Sequence, residues 1–435
     1  MKISSPRGTS DILPEQIAAW QNLEVTARTL FKTYGYSELR TPVFEETGLF
    51  KRSLGETTEV VNKQLLEVRS QRADAEEAGF CLRPEGTAAV VRAYNQYNLG
   101  REDLLSKLFY IGPMFRGERP QKGRLRQFHQ IGAEAIGRGA DHPLLDAEMI
   151  ALAVNILKSL GVNDFKLKIN SLGSAEDKQH FAQWLRDELR GKIEHLSDLC
   201  KDQYERNVFR LLDSKDEACR EVIGRLDIGT RHLSESGRAY FERVRAGLDC
   251  LGIDYEVSAQ LVRGLDYYTH TVFEISCAKL GTQDALGAGG RYNGLIEQLG
   301  GGDRRFPQTI GAIGFALGME RILLALEAQG AAVKARRSLD VFVVSGTAEA
   351  EQATFLLVDK LRKERIAADM DFSGSHNIRK QFEQADRLGA KQVFVLGAEE
   401  MKNGTVTVKD MVTGEQKLDQ ITDALIGNLV RQFNP

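Results

Sequence analysis

Nowhere in the chain do apolar residues run together for the roughly 18 positions that a membrane-spanning helix needs. The start, MKISSPRGTSDILPEQ, lacks the basic-then-apolar order of an export signal, so the protein is expected to stay in the cytoplasm, away from any membrane. Cysteine is scarce: Cys81, Cys200, Cys219, Cys250 and Cys277 are odd in number, far apart and without a Cys-x-x-Cys pair. That argues against a disulfide framework and a structural zinc, and leaves buried small hydrophobes as their role. The 7 histidines are scattered with no metal-ligand spacing, and His129 reads as a packed or hydrogen-bonded ring. A Walker-type phosphate loop is missing, and Gly287 to Gly294, GAGGRYNG, lacks the GxGxxG spacing of a dinucleotide fold. Charge of one sign is missing too. The 58 basic and 61 acidic residues give a formal charge of −3, so any RNA contact has to come from local patches.

At 435 residues, 42% hydrophobic and 27% charged, the chain fits two or three globular domains. Pro14 to Tyr34 spaces Ile17, Trp20, Leu23, Ala27, Leu30, Phe31 and Tyr34 along one helix face, with Pro14 suited to a first turn and Gly35 to an end. A strand over 36–40 follows, and Pro42, which cannot donate to a ladder, puts this segment at a sheet edge or subunit contact. Residues 62–79 read as an exposed hairpin or loop. Phe80 to Arg83 is expected as a strand turning through Pro84-Glu85-Gly86-Thr87 into a helix, where Glu85 suits the dipole and could be a plain cap. Asp141 to Leu160 reads as a helix, and Phe165, Leu167 and Ile169 alternate as a strand. From about 173 to 254 the texture turns charged and helix-forming, with Ser174 and Asp177 at capping-box spacing, so this block reads as a helical insertion. Strands return over Asp266 to Ser276 and Ile310 to Phe315, the second passing through Gly318 into a helix. After a small, basic linker at 330–338, strand and helix alternate. That order predicts a small α/β domain with a largely parallel sheet, closed by a helix over 415–432.

The densest chemistry lies in FYIGPMFRGERPQKGRLRQFHQIGAEAIG, from Phe109 to Gly137. Two apolar-rich arms flank a loop with Arg116, Arg119, Lys122, Arg124 and Arg126 against one acid, Glu118. In an antiparallel hairpin one face can pack on a core while the other presents polar groups, here guanidiniums at one end and Gln130 and Glu134 at the other. Arginine holds phosphate oxygens well because its planar fork of donors stays charged. A polyphosphate site is one reading, and a charged surface hairpin is the other. Arg263 in LVRGLDYYTHTVFEI and Arg321 in GFALGMERIL join Arg116 as candidates if the fold brings them together. Tyr267 and Tyr268 follow closely, and strand alternation would turn only one of them toward a ligand.

These residues carry a resemblance. YGYSELRTPVFE at 34–45, the FRGERPQKGRLRQFHQ hairpin core and GFALGMERIL at 314–323 resemble the three signature motifs of the class II aminoacyl-tRNA synthetases. LRPEGT at 82–87, RLRQFHQIGAE and LVRGLDYYTHTVFE at 261–274 narrow the resemblance to the histidyl-tRNA synthetases, and MDFSGSHNIRKQFEQADRLGAKQVFVLG resembles that family's anticodon-binding domain.

The resemblance implies an α+β fold: a class II antiparallel sheet flanked by helices over 1–330, with the helical insertion, then a C-terminal α/β anticodon-binding domain over 338–435. It implies that L-histidine is activated with ATP to histidyl-adenylate and pyrophosphate, with Mg2+ bridging the outer phosphates through ligands the residues do not identify. Histidine then passes to the 3'-terminal ribose of its tRNA. Glu85, Thr87, Gln130, Glu134 and Tyr268 would line the histidine pocket, with Tyr267 beside them. Arg116 would grip the α-phosphate, Glu118 the adenine amine and Arg321 the γ-phosphate, with Arg124 and Phe128 also at the nucleotide. Arg263 would be the catalytic cation between the substrate carboxylate and the α-phosphate. Arg119, Gln121 and Lys122 would meet the tRNA acceptor end, and the first motif implies a homodimer.

The sequence departs from the family pattern twice. NKQLLEVRSQRADAEEAGF stands where an aromatic-rich strand and acidic turn usually precede LRPEGT, and position 117 is Gly in place of a larger residue. The strongest rival is a catalytically silent, histidine-sensing regulatory paralogue of the ATP phosphoribosyltransferase complex. The complete tail and the retained arginines disfavour it, and LVRGLDYYTHTVFE disfavours a threonine, proline or glycine synthetase.

Overall fold

The structure, a computed structural model, describes residues 3–56, 58–69, 79–101, 103–281, 283–302, 310–331 and 339–433. Most of the expected linker and residues 70–78 of the atypical segment lie outside them. The chain divides into two compact units, Met1–Val333 and Lys334–Pro435.

An eight-stranded sheet organises the first unit, in the spatial order Ser37–Glu38, Ser106–Phe115, Gln127–Gly137, Gly311–Gly318, Ala285–Arg291, Thr269–Ser276, Lys166–Ser171 and Glu256–Val257. Its interior pairings are antiparallel and only the short outer strands pair in parallel. The central hairpin is long enough to run Phe115 opposite Gln127 down to Ser106 opposite Ile136. Alternation sends Phe109, Ile131, Ile313, Phe315, Leu317, Phe273 and Ile275 to one face, where they share a core with Trp20, Leu23, Ala27 and Phe31 of the Pro14–Thr33 helix. The helices Pro143–Ser159, Glu235–Cys250 and Met319–Ala328 cover the same face. Phe31 stacks on Phe109 with ring centroids 4.4 Å apart.

Pro42 falls between two edges. Ser37–Glu38 is the outermost strand of the large sheet, and Phe44–Glu46 is an outer strand of a three-stranded sheet with Phe80–Leu82 and Leu66–Val68. The described part of the atypical segment is thus a short π-helical turn, Val60–Gln64, leading into a strand that pairs with Phe80–Leu82.

Between Ser174 and Cys250 the chain forms the helices Ala175–Leu189, Asp198–Arg206, Glu217–Gly224 and Glu235–Cys250. The capping box closes as the spacing predicts: Ser174 Oγ accepts from Asp177 N at 3.1 Å and Asp177 Oδ2 from Ser174 N at 3.0 Å. Asp177 also accepts from the backbone N of Ser234 at 2.9 Å, where the last of these helices begins.

In the second unit the sheet order is Ala368–Met370, Leu339–Ser345, Ala390–Leu396, Thr405–Asp410 and Gln416–Gln420. Only the first three strands are parallel, and the last two run antiparallel. The helix expected over 415–432 is therefore shorter, Asp423–Phe433, with a strand before it. Asp410 causes the difference: its carboxylate accepts from Val412 N and Thr413 N, both at 2.8 Å, and folds the chain back through Gly414 at φ 77° into a hairpin. No helix among the described residues is long and apolar enough to cross a membrane.

Candidate active site

The face of the large sheet turned away from the helices is lined with small residues. Across one row Gly132 stands opposite Ala316, Ala316 opposite Ala288 and Ala288 opposite Glu274, and in the next Glu134 opposite Gly314 and Gly314 opposite Gly290. A Cβ on Gly132 would lie 2.2 Å from the Tyr110 ring, and one on Gly314 would lie 1.7 Å from Glu134 Oε2, so side chains there would collide with the floor itself. What the missing side chains leave is a cavity of about 500 Å3.

Arg116, Arg124, Arg263 and Arg321 all line it, with Glu85, Thr87, Glu118, Phe128, Gln130, Tyr267 and Tyr268. Residues far apart in sequence are thereby brought around one space. Arg116 Nε donates to Pro84 O at 3.0 Å and its guanidinium lies over the Phe128 ring, 5.2 Å from the centroid. Glu118 is ion-paired with Arg124. Arg321 donates to the Gln283 carbonyl, and Arg263 is ion-paired with Glu274.

At the closed end Glu85 sits before the Thr87–Gln96 helix and accepts from Thr87 N at 2.7 Å and Ala88 N at 2.9 Å. It is therefore the cap that its position suggests and also part of the cavity wall. Burial pushes its carboxyl up, against those two N–H groups and the Arg116 charge. Glu134 is completely buried and takes Thr87 Oγ1 at 2.7 Å on one oxygen and the Tyr292 hydroxyl on the other. Burial pushes it up to about 8, the hydroxyls opposing and Glu85 reinforcing. Tyr268 is pushed up to about 12 by burial, which Arg263 opposes, so its hydroxyl stays protonated.

Some expectations need correction. Tyr267 and Tyr268 precede the strand, which begins at Thr269, so alternation does not separate them: both line the cavity, with ring centroids 4.6 Å apart. Arg119, Gln121 and Lys122 are exposed on the hairpin loop. Gln121 and Lys122 line a neighbouring cavity of about 500 Å3 that shares Gln283 and Arg321 with the first. His129 packs edge-on against Trp20 with its Nδ1 2.9 Å from Glu320, as a packed ring should. Gly117 donates its N–H to Gln64 O at 2.6 Å, and a Cβ there would lie 3.3 Å from Leu66. The two departures from the family pattern are thus in contact.

Sequence reasoning missed Tyr292, Gln283, Glu320 and Asp213, which line the cavity from four separate segments. It also missed Glu274, although an acid between the apolar pair Val272-Phe273 and Ile275 of one strand was a usable signal.

The fold, a largely antiparallel sheet with arginines around a cleft on one face and no Walker-type phosphate loop, is that of the class II aminoacyl-tRNA synthetases. The family model described as histidyl-tRNA synthetase matches residues 8–322, and one described as anticodon binding domain matches 340–428. A histidine–tRNA ligase of Halothermothrix orenii is 43% identical over 433 residues, covering 100% of this chain and 99% of that protein. One of Synechococcus elongatus is 45% identical, covering 95% and 92%. The crystal structure of an apo histidyl-tRNA synthetase from S. aureus matches with a TM-score of 0.79 at 37% identity, covering 98% of this chain and 100% of that one. The chain belongs to the histidyl-tRNA synthetase family.

Proposed function

We propose that the cavity activates L-histidine with ATP and that the chain then transfers the histidyl group to the 3'-terminal ribose of its tRNA. The observation that carries this reading is the meeting of Arg116, Arg263 and Arg321 on one cavity whose closed end holds Glu85, Gln130 and Tyr268 above the buried Glu134. Adenylation joins a histidine carboxylate oxygen to the α-phosphorus and breaks the bond to pyrophosphate. Negative charge spreads over oxygens in that transition state, so fixed cations and alignment supply most of the acceleration. Arg116 and Arg263 serve the α-phosphate and carboxylate, Arg321 the γ-phosphate, Arg124 and Phe128 the nucleotide, and Glu118 the adenine amine. Glu85 and Thr87 suit the ammonium, and Gln130 and Tyr268 the imidazole, with Tyr267 packing beside them; Glu134, expected among the pocket residues, does not line the cavity but stands behind it, both oxygens taken by Thr87 and Tyr292, and so steadies Thr87. A pocket whose own polar atoms need the ligand rejects analogues lacking those groups.

Among the described residues no group of three His, Cys, Asp or Glu could hold a metal ion by itself. Of the lining acids, Glu85 is engaged by the Thr87 and Ala88 N–H groups, Glu118 by Arg124, Glu274 by Arg263 and Glu320 by His129, while Asp213 lies in the field of Arg263, Lys215 and Arg210. This donor set fits a Mg2+ that arrives on the triphosphate and keeps most of its water, supplying charge neutralisation at the outer phosphates. The exposed Arg119, Gln121 and Lys122 suit the acceptor-end phosphates, and the second unit the anticodon. A homodimer is supported by the exposure of Val43 and Phe44, 39% and 53%, just before and at the start of an outer strand within the first motif; a monomer by sedimentation at micromolar concentration would refute it.

Pyrophosphate exchange with each standard amino acid in turn tests the reading. Exchange with histidine alone is the expected result, and no exchange with any would leave the silent regulatory paralogue.

A further inference from the structure

Three donors of the helical insertion close on the loop that carries Arg263, Tyr267 and Tyr268. The half-buried Lys178 Nζ donates to two carbonyls of that loop, Asp266 O at 2.7 Å and Tyr268 O at 3.0 Å. Asn207 Nδ2 donates to Asp266 Oδ1 at 2.9 Å, and Arg210 Nη2 to Gly264 O at 2.7 Å. Their carriers are separate: Lys178 stands on the Ala175–Leu189 helix, and Asn207 and Arg210 flank and occupy the 3-10 turn Val208–Leu211. Beyond that turn Asp213 reaches the cavity wall itself. Phe209 of the same turn lies 5.9 Å from the Lys178 ammonium.

The loop needs such holding. Residues 258–268 contain neither strand nor helix, so no ladder fixes the side chains that they present. A carbonyl that points toward a fixed ammonium, by contrast, sets the peptide plane and with it the direction of the flanking side chains. Burial works against the Lys178 charge and the neighbouring Asp266 favours it.

We propose that Lys178, Asn207 and Arg210 are positioning residues, through which the insertion holds Tyr267 and Tyr268 against the closed end of the cavity and so sets the affinity for histidine. The inference rests on the reading of this cavity as a histidine-activating site. Its signature is selective. Removing a donor loosens the amino-acid end of the cavity, Arg263 included, and leaves the adenine and γ-phosphate end, held by the hairpin and the Met319–Ala328 helix, as it was.

Histidine-dependent pyrophosphate exchange in the full-length protein tests this. For Lys178→Met the KM for histidine should rise about 10-fold or more while the KM for ATP stays within about twofold, and Lys178→Arg should recover most of the loss. Asn207→Ala, which also removes the acceptor of Phe209 N, and Arg210→Ala, which also removes a 4.0 Å ion pair with Asp266, should each raise the same KM by about threefold, and they serve if Lys178→Met does not fold. A purely structural role would instead lower the melting temperature and the active fraction with both KM values unmoved, and that result overturns the proposal. So does a histidine KM within about twofold of wild type in folded variants. If the wild-type protein itself shows no histidine-dependent exchange, the reading of the cavity fails, which is a different result from an unmoved KM.

Discussion

The two faces of the large sheet are built from the same strands and have opposite composition. One carries Phe109, Ile131, Ile313, Phe315, Phe273 and Ile275 into a core shared with four helices. The other carries Gly132, Gly314, Gly290, Ala316 and Ala288, with Gln130, Glu134 and Glu274 standing among them. A period of two lets neighbouring residues on one strand answer to different demands, so stability and ligand binding are written into alternate positions. On the helix face bulk is required throughout, whereas on the other face it is absent over the cavity and returns at Tyr110, Ile136 and Val272, which pack with the Thr87–Gln96 and Ala175–Leu189 helices.

Substitutions on the two faces should therefore fail in different ways. Phe273→Ala on the helix face should lower unfolding stability by about 3–5 kcal/mol, read by denaturant titration, while the fraction that stays folded exchanges pyrophosphate normally. Arg263→Ala on the cavity side should slow adenylate formation about 100-fold or more with little change in melting temperature, as loss of a preorganised cation does. Near wild-type exchange in that variant would erase the distinction between the faces. Gly117→Leu, at the contact between the hairpin and the Leu66–Val68 strand, should cost about 1–3 kcal/mol by crowding Leu66 and the Gln64 carbonyl. An unchanged melting temperature would show that the small sheet gives way freely.

A further effect concerns pH. The Glu134 carboxyl is raised from 4.5 to about 8 in the folded chain, so the folded state holds a proton that the unfolded state releases earlier. The stability from this proton is full below the unfolded value, is lost progressively as pH rises, and is gone above about 8. Compared with Glu134→Gln, the wild-type melting temperature should fall from pH 5 toward pH 8 and run parallel beyond it. Parallel curves throughout would mean that Glu134 is already ionised.

Residues inside contiguous stretches were legible in the sequence. The hairpin, the turn at Glu85 and the Ser174–Asp177 box announce themselves by local spacing, whereas the arginines at 116, 263 and 321 read alone as surface or ion-pair residues and stood out only through the motifs that contain them. What was hidden was set by partners far away. Tyr292 matters because it meets Glu134, and Lys178 because it meets two carbonyls some ninety positions on, at separations of 88 and 90. Local pattern also misled where a strand was assumed to start early, which split Tyr267 from Tyr268. In the second unit it misled again, where one aspartate turned an apparent helix into a hairpin. The two oddities of sequence, Gly117 and the segment before it, were visible singly, and only packing shows that they are one adjustment.

The carboxylate of Asp177 caps the start of the insertion's first helix and reaches Ser234 at the start of its last, 57 positions along the chain. The first and last helices of the insertion thus begin at a single knot, where burial is opposed by four hydrogen bonds that hold this acid below its usual range. The same carboxylate sets where two helices begin, while Phe241 and Leu248 of the last helix and Phe181 and Leu185 of the first are anchored separately in the two cores. Acid that protonates Asp177, or its replacement by Asn, would therefore fray both helix starts together without releasing either helix from its core.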